Sequence, residues 1–192
     1  MKNGDIQMEA INTEKLYTYS DYRSWNDGKR YEIINGIAYM LSAPSRTHQK
    51  ISINLCVQLG MFLEDKPCDV YSAPFDVRLN ADENDDIVIQ PDISVICDKS
   101  KLTEDGCNGA PDLVIEILSK SSEKTDRHIK FHIYLKYGVR EYWIVDPDNK
   151  IVQVFILDKN NQQFKTYDEN DKVEVEILKG CIIDLSRVFN DD

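Results

Sequence analysis

A mixed-sheet α/β domain with β additions at both ends is the fold class this sequence predicts. Three observations carry it. Residues 111–147 read strand, helix, strand: PDLVIEIL (111–118), a helical stretch from about Ser122 to Tyr137, then REYWIVDP (140–147). A helix between two apolar strands predicts a parallel crossover. Asn35-Gly36 sits between two apolar runs in YEIINGIAYML (31–41), a strong hairpin signal. After Pro147, the segments KIVQVFILD, FKTYDE, KVEVEIL and CIIDLSRVF read as a closing β-meander. The 192 residues suit one domain with its own core. Residues 1–15 read as a flexible N-terminus and 16–192 as the single domain.

Taken in order, LYTYSDYRSWND (16–27) carries a short helix or turn, and the hairpin follows. In SRTHQKISINLCVQLGMFLED (45–65), Ile51, Leu55, Leu59 and Leu63 recur at helical spacing. CDVYSAPFDVRL (68–79) reads as a strand, and IVIQPDISVICD (87–98) as another, interrupted by Pro91. PDLVIEIL shows no alternation, so both its faces are expected to be buried. The next helix should turn Ile129, Ile133 and Leu135 inward and stop at Gly138. Pro147 ends REYWIVDP. There is no internal repeat or low-complexity tract.

Hydrophobic residues make up 42% and charged residues 30%, the balance of a soluble globular protein. No apolar run approaches a membrane span, and MKNGDIQMEAINTEK has no apolar leader core. A cytoplasmic protein with no membrane partner is the expectation. Five cysteines (56, 68, 97, 107 and 181) without a CxxC spacing predict reduced thiols rather than a structural zinc site. The net charge of −11 argues against nucleic-acid binding over the whole surface. A local basic face is still open to the chain. Lys120, Lys124, Arg127, Lys130 and Lys136 are either that face or an ordinary solvated helix surface.

The chemistry centres on Glu116, alone among Leu113, Val114, Ile115, Ile117 and Leu118. A buried carboxylate costs several kcal/mol unless something pairs with it. Asp92, after Pro91, opens a second apolar core strand. If the two strands are adjacent, the carboxylates converge and repel, and the pair wants a divalent cation or a shared proton. Mg²⁺ suits such a pair, with water and substrate phosphate completing its shell. A nearby lysine would orient the attacking water or stabilise developing charge. That set fits metal-assisted phosphodiester hydrolysis. The plainer reading is a satisfied Glu–Lys ion pair with Asp92 as a strand-entry residue; a hydrolase using the carboxylates without metal is a third. Pro111-Asp112 reads as strand entry, and Tyr134 and Trp143 as core.

The segments PDISVI and APDLVIEILSKSSEKTDRHIKFHIYLKYGVREYWIVDP, with YEIINGIAYM and SAPSRTHQKISINL before them, resemble the Uma2 family. The likeness covers roughly residues 16–190. It implies the restriction-endonuclease-like, PD-(D/E)xK nuclease fold: a mixed central sheet flanked by helices, acting on DNA with Mg²⁺ or Mn²⁺. Carried over, Asp92 and Glu116 are the metal ligands. The position two after Glu116 holds Leu118, not lysine. The resemblance therefore implies a lysine from the following helix, Lys130, in D-x-x-x-K-x-x-x-Y; Lys120 is the rival. Glu32 matches a glutamate of the hairpin and is either a third acidic residue at the site or a solvent-facing charge. His48 matches a histidine at the start of the first long helix, where it contacts a phosphate or merely caps and packs. Gln90 and Ser119 flank the core positions as possible support. A catalytically inactive member of the fold, kept as a nucleic-acid- or protein-binding module, is the alternative. The apolar edge KIVQVFIL (150–157) offers a homodimer contact.

Overall fold

The computed structural model describes residues 10–11, 14–157 and 162–190. Most of the N-terminal segment expected to be flexible lies outside them. Helix α1 (Tyr19–Ser24) is held by a Thr18–Asp21 capping box. Strands β1 (Tyr31–Ile34) and β2 (Ile37–Met40) form the expected hairpin. Asn35 and Gly36 take φ of 51° and 78°, the left-handed pair that a tight primed turn requires. Helix α2 (Arg46–Leu63) starts at Ser45, whose side chain accepts the His48 N–H, and it buries Ile51, Leu55, Leu59 and Leu63.

The two long strands expected next are each divided. Residues 68–79 give β3 (Asp69–Ser72) and β4 (Asp76–Arg78), with the cis Ala73–Pro74 bond between them. Residues 87–98 give β5 (Val88–Ile89) and β6 (Ile93–Ile96) on either side of Pro91. Short strands β7 (Leu102–Thr103) and β8 (Gly106–Asn108) precede β9 (Leu113–Ile117). A π-helical turn, Thr125–Lys130, runs into α3 (Phe131–Tyr137), which stops at Gly138 with φ 91°. Then come β10 (Glu141–Asp146), β11 (Ile151–Ile156), β12 (Gln163–Asp168), β13 (Lys172–Glu174), β14 (Ile182–Asp184) and α4 (Leu185–Val188).

The first sheet has the order β12-β11-β10-β9-β6-β3, and the second β2-β1-β5-β4-β8-β7; β13 and β14 pair separately. Strands β9 and β10 are parallel, as the crossover predicts. One face of the first sheet packs on α2, β13, β14 and α4, through Leu113, Ile115, Ile117 and Trp143 among others. The opposite face packs on the second sheet and α3, through Val114, Leu118, Tyr134, Tyr142 and Ile144. Glu116 shares the parity of Val114 and Leu118, so it points into this second interface. The chain crosses between sheets at Gln90-Pro91-Asp92. Proline has no N–H to continue a ladder, which ends β5 there.

Four expectations change. Ile129 is 42% exposed rather than inward, because the wider π turn gives the inner face to Asp126, Lys130, Ile133 and Tyr134. Strand β11 is paired on both sides, by β10 and β12, so the edge proposed for a homodimer is interior. The closing meander divides, since only β11 and β12 extend the main sheet. Cys68 and Cys97 form a disulfide, against the expectation of reduced thiols. They stand one residue beyond the Asp69↔Ile96 pair, at matching ends of β3 and β6. Among the described residues, no helix is long and apolar enough to cross a membrane.

Candidate active site

Strands β6 and β9 run antiparallel with Ile93 opposite Ile115. One step further in the same register, Asp92 stands opposite Glu116. Asp92 closes the ladder with its side chain: Oδ2 accepts the Ile117 N–H at 2.7 Å. The same oxygen lies 3.1 Å from His48 Nε2, so α2 braces Asp92 from its other side.

Glu116 is 3% exposed. Its Oε1 accepts from Lys130 Nζ at 3.0 Å and from the Tyr134 hydroxyl at 2.6 Å. Lys130 also donates to Glu32 Oε1 at 2.9 Å. Glu32 reaches the cluster from β1 because β1 pairs with β5, Ile33 opposite Val88, and its Oε1 also accepts the Gln90 backbone N–H. Asp126, one helical repeat before Lys130, places Oδ1 3.2 Å from Nζ. That approach is an ion pair without hydrogen-bond geometry, so Asp126 Oδ1 is buried without a hydrogen bond, as are Glu32 Oε2 and His48 Nδ1. Asp126, Lys130 and Tyr134, four residues apart, share one face of the π turn and α3.

One ammonium thus faces three buried carboxylates. Burial is the largest influence on Glu116 and pushes it well above the usual carboxylate range; Lys130 pulls it back, while Asp126, Asp92 and Glu32 push it further up. Glu32 and Asp126 are raised for the same first reason. Burial opposes the charge on Lys130, but Asp126, Glu116 and Glu32 outweigh it and hold the ammonium well above its ordinary value. The cluster therefore favours a charged Lys130 and makes each of its three carboxyls easier to protonate than a free one, a bias that a further cation would offset. For His48, burial disfavours the charged ring, and Asp92 outweighs it to raise the value.

These side chains line a cavity of about 960 Å³ whose wall includes Glu32, His48, Asp92, Glu116, Asp126 and Lys130. Asp92, Glu116, Lys130, Glu32 and His48 therefore come together. The reading of Glu32 as a solvent-facing hairpin charge is excluded, since it is 1% exposed. Gln90 meets the cluster only through its backbone; its side-chain amide donates to Tyr22 and Asp76. Ser119 lies at the rim with its hydroxyl bonded to Ser121 and Ser122. Lys120 is exposed at the same rim and takes no part in the cluster's hydrogen bonds, so the interior lysine is Lys130. Trp143 is core, as expected, whereas Tyr134 is both core and a donor to Glu116. Asp126 was missed as a site residue. Its signal was the i, i+4 spacing to Lys130. Asp112 is strand entry: Oδ2 accepts the Cys97 N–H and Oδ1 pairs with Arg140.

Two packed layers around a strand–helix–strand crossover, with the cluster at the end of the crossover strand, define a restriction-endonuclease-like domain. A crystal structure titled "putative nuclease belonging to DUF820", from Anabaena variabilis, shares this fold with a TM-score of 0.73 at 21% identity, over 90% of this chain and 97% of that one. The family model Uma2, described as "Putative restriction endonuclease", matches residues 18–186, and the chain belongs to that family. Two Synechocystis proteins are similar. Uncharacterized protein slr1290 is 25% identical over 164 residues, covering 82% of this chain and 84% of its own. Uncharacterized protein sll1609 is 26% identical over 144 residues, covering 72% and 80%.

Proposed function

We propose that this protein is a metal-dependent endonuclease that hydrolyses phosphodiester bonds in DNA. The observation that carries the reading is the charge imbalance around Lys130, where three buried carboxylates share one ammonium at a cavity wall. A divalent cation relieves that imbalance without protonating a carboxyl. Among the described residues, no three His, Cys, Asp or Glu side chains are grouped to hold a metal unaided. That donor set suits Mg²⁺ or Mn²⁺ bound by one or two carboxylates, with water and phosphate filling the shell.

Asp92 and Glu116 would hold the ion. When bound, it polarises a phosphoryl oxygen and makes a water more acidic. Lys130 uses two N–H donors on Glu32 and Glu116. Its third faces Asp126 at 3.2 Å, from which it would turn to orient the attacking water or stabilise charge developing on the phosphate. Glu32 anchors Lys130 from the second sheet, and His48 fixes the Asp92 carboxylate. The family and the nuclease neighbour support a nuclease-type activity, and DNA as the substrate is our extension of it.

A second reading has one observation in its favour. Glu116 Oε1 is already taken by both Lys130 and Tyr134, as in a closed ion-pair network of a binding module. Calorimetry with Mn²⁺ and Mg²⁺, followed by plasmid nicking, separates the two on wild type and Glu116→Gln. The nuclease reading expects binding and nicking in wild type and neither in the variant. Absence of both in wild type would give the site to the binding module. Nicking that survives chelation would point to a hydrolase without metal.

A further inference from the structure

Helix α2 turns one side to the core and the other outward. Ile51, Leu55, Leu59 and Leu63 are buried. On the opposite side, Ile53, Val57 and Met61 recur at every fourth residue, and they are 58%, 52% and 74% exposed. Side chains at that spacing are neighbours, so the three form one apolar strip. Single exposed apolar residues are ordinary, whereas a continuous strip rimmed by polar residues marks an interaction surface. Asn54 and Gln58, at the rim, are bonded to the Val188 and Asp184 backbone.

The strip ends in charges of opposite sign. Arg46 opens α2 and Glu64 caps it, and both are exposed. At about 3.6 residues per turn, Arg46, Ile53, Val57 and Glu64 fall on one line along the helix. Asp65 adds a second exposed acid at the Glu64 end. Lys66, next to it, folds back onto the Phe62 carbonyl and ring.

This order of charge runs against the helix dipole. The first turn of α2 holds no acid and the last turn no base. Acids at the start and bases at the end stabilise a helix, and the reverse placement costs stability. A second α2 lying antiparallel corrects both ends, because its Glu64 comes to the start of the first helix and its Arg46 to the end. A parallel neighbour would bring like charges together. Arg46 and Glu64 also stand equally far from the midpoint between Ile53 and Val57. A two-fold axis at that midpoint sets Ile53 against Val57 and Arg46 against Glu64, twice over, as a self-matching interface requires. Packed helices commonly cross at about 20°, shallow enough for both ends to stay within side-chain reach.

We propose that the outer face of α2 is the contact of a homodimer. Two copies pack antiparallel through Ile53, Val57 and Met61, and Arg46 of each copy meets Glu64 of the other. A contact built on one helix face is smaller than the roughly 800 Å² per partner of a standard interface, so the dimer is reversible, with a dissociation constant on the order of micromolar. Ile53 and Val57 also line the cavity of the candidate active site. Pairing therefore sets the two cavities beside one axis. The dimer stands or falls apart from the nuclease reading.

The test is sedimentation velocity at low ionic strength, over concentrations that span the micromolar range. Compared are wild type, Val57→Glu, Arg46→Glu, Glu64→Arg and the double reversal Arg46→Glu/Glu64→Arg. Phe164→Glu serves as control, since it changes an exposed apolar side chain on β12. Circular dichroism of each variant separates a lost contact from a lost fold. Wild type should pass from monomer to dimer as concentration rises. Val57→Glu should stay monomeric, and Phe164→Glu should dimerise as wild type does. Each single reversal should weaken the dimer about tenfold, because like charges then face each other at both ends. The double reversal should restore it. A wild type that is monomeric throughout overturns the proposal, and so does a dimer that a folded Val57→Glu leaves intact. A double reversal that fails to recover overturns it too, since the helices would then meet in another arrangement.

Discussion

Two glutamates on neighbouring parallel strands make the useful comparison. Glu116 on β9 and Glu141 on β10 are both buried, in apolar runs, and raised chiefly by burial. Their surroundings differ. Glu141 Oε1 accepts the Trp143 indole N–H at 2.7 Å and Oε2 accepts the Ile177 backbone N–H at 2.9 Å. Both its oxygens have neutral donors, and it does not line the large cavity. Glu116 sits at a cavity with a cation that two other carboxylates also claim. Burial of a carboxylate therefore does not mark a site. Unbalanced charge at an accessible wall does.

The largest effect expected from breaking this contrast is on cleavage. Glu116→Gln should lower the nicking rate at least about a hundredfold, the scale on which loss of one transition-state contact is felt. It should leave thermal stability near wild type, because glutamine resembles the protonated acid that the cluster already favours. Glu141→Gln should do the reverse. Its amide nitrogen would face either the Trp143 or the Ile177 N–H, leaving a buried donor unpaired at a cost of about 1–3 kcal/mol. Calorimetric melting and a nicking assay on both variants read this double dissociation. Loss of activity in Glu141→Gln at full stability would end it.

Larger than either on the stability scale is Lys130→Met, which removes the one cation that, among the described residues, pairs with Glu32, Glu116 and Asp126. Breaking a buried ion pair from one side typically costs about 3–5 kcal/mol. Denaturant melts should show a loss of this order near neutral pH. Recovery on acidification should follow, because raised carboxyl values mean that protonation relieves the cluster. Wild-type stability in Lys130→Met would show that the carboxylates were already neutral.

The sequence distinguishes these two glutamates poorly, and the reason is physical. LVIEIL and REYWIVDP look alike because local pattern reports burial, not what lies across the interface. Glu116, Asp92 and Lys130 were legible from an unpartnered charge, a proline-broken strand and a helix of the right spacing. The position of Glu32 depends on β1 pairing with β5, and no local pattern reports a contact 98 residues from Lys130. The break at Pro91 was legible, but the break at Pro74 and the passage of each chain half to a different sheet were hidden for a similar reason: alternation does not say to which sheet a strand belongs. Ile129 was misplaced because a π turn shifts the helical face that a regular period assigns. The crossover and the hairpin were readable because each is set by adjacent residues.

A third carboxylate isolates which half of the contrast matters. Asp146 ends β10 at the rim of the large cavity, as Glu116 does in location, yet it is satisfied, as Glu141 is. Oδ1 accepts the backbone N–H groups of Asp148 and Asn149, and Oδ2 accepts the Asn149 side-chain amide at 2.9 Å. Burial alone would raise it; the Asn149 and Asp148 donors and Arg127 outweigh burial and lower it below its ordinary value of 3.8. A lowered value gives stability that is present above pH 3.8 and lost as pH falls through the folded value. Asp146→Asn should therefore melt lower than wild type near neutral pH by about 2–4 °C, corresponding to about 1 kcal/mol in a domain of this size. The gap should close below about pH 3.8. Nicking at neutral pH should stay within a few-fold of wild type. A loss as large as that of Glu116→Gln would mean that position at the cavity, not unbalanced charge, defines the site.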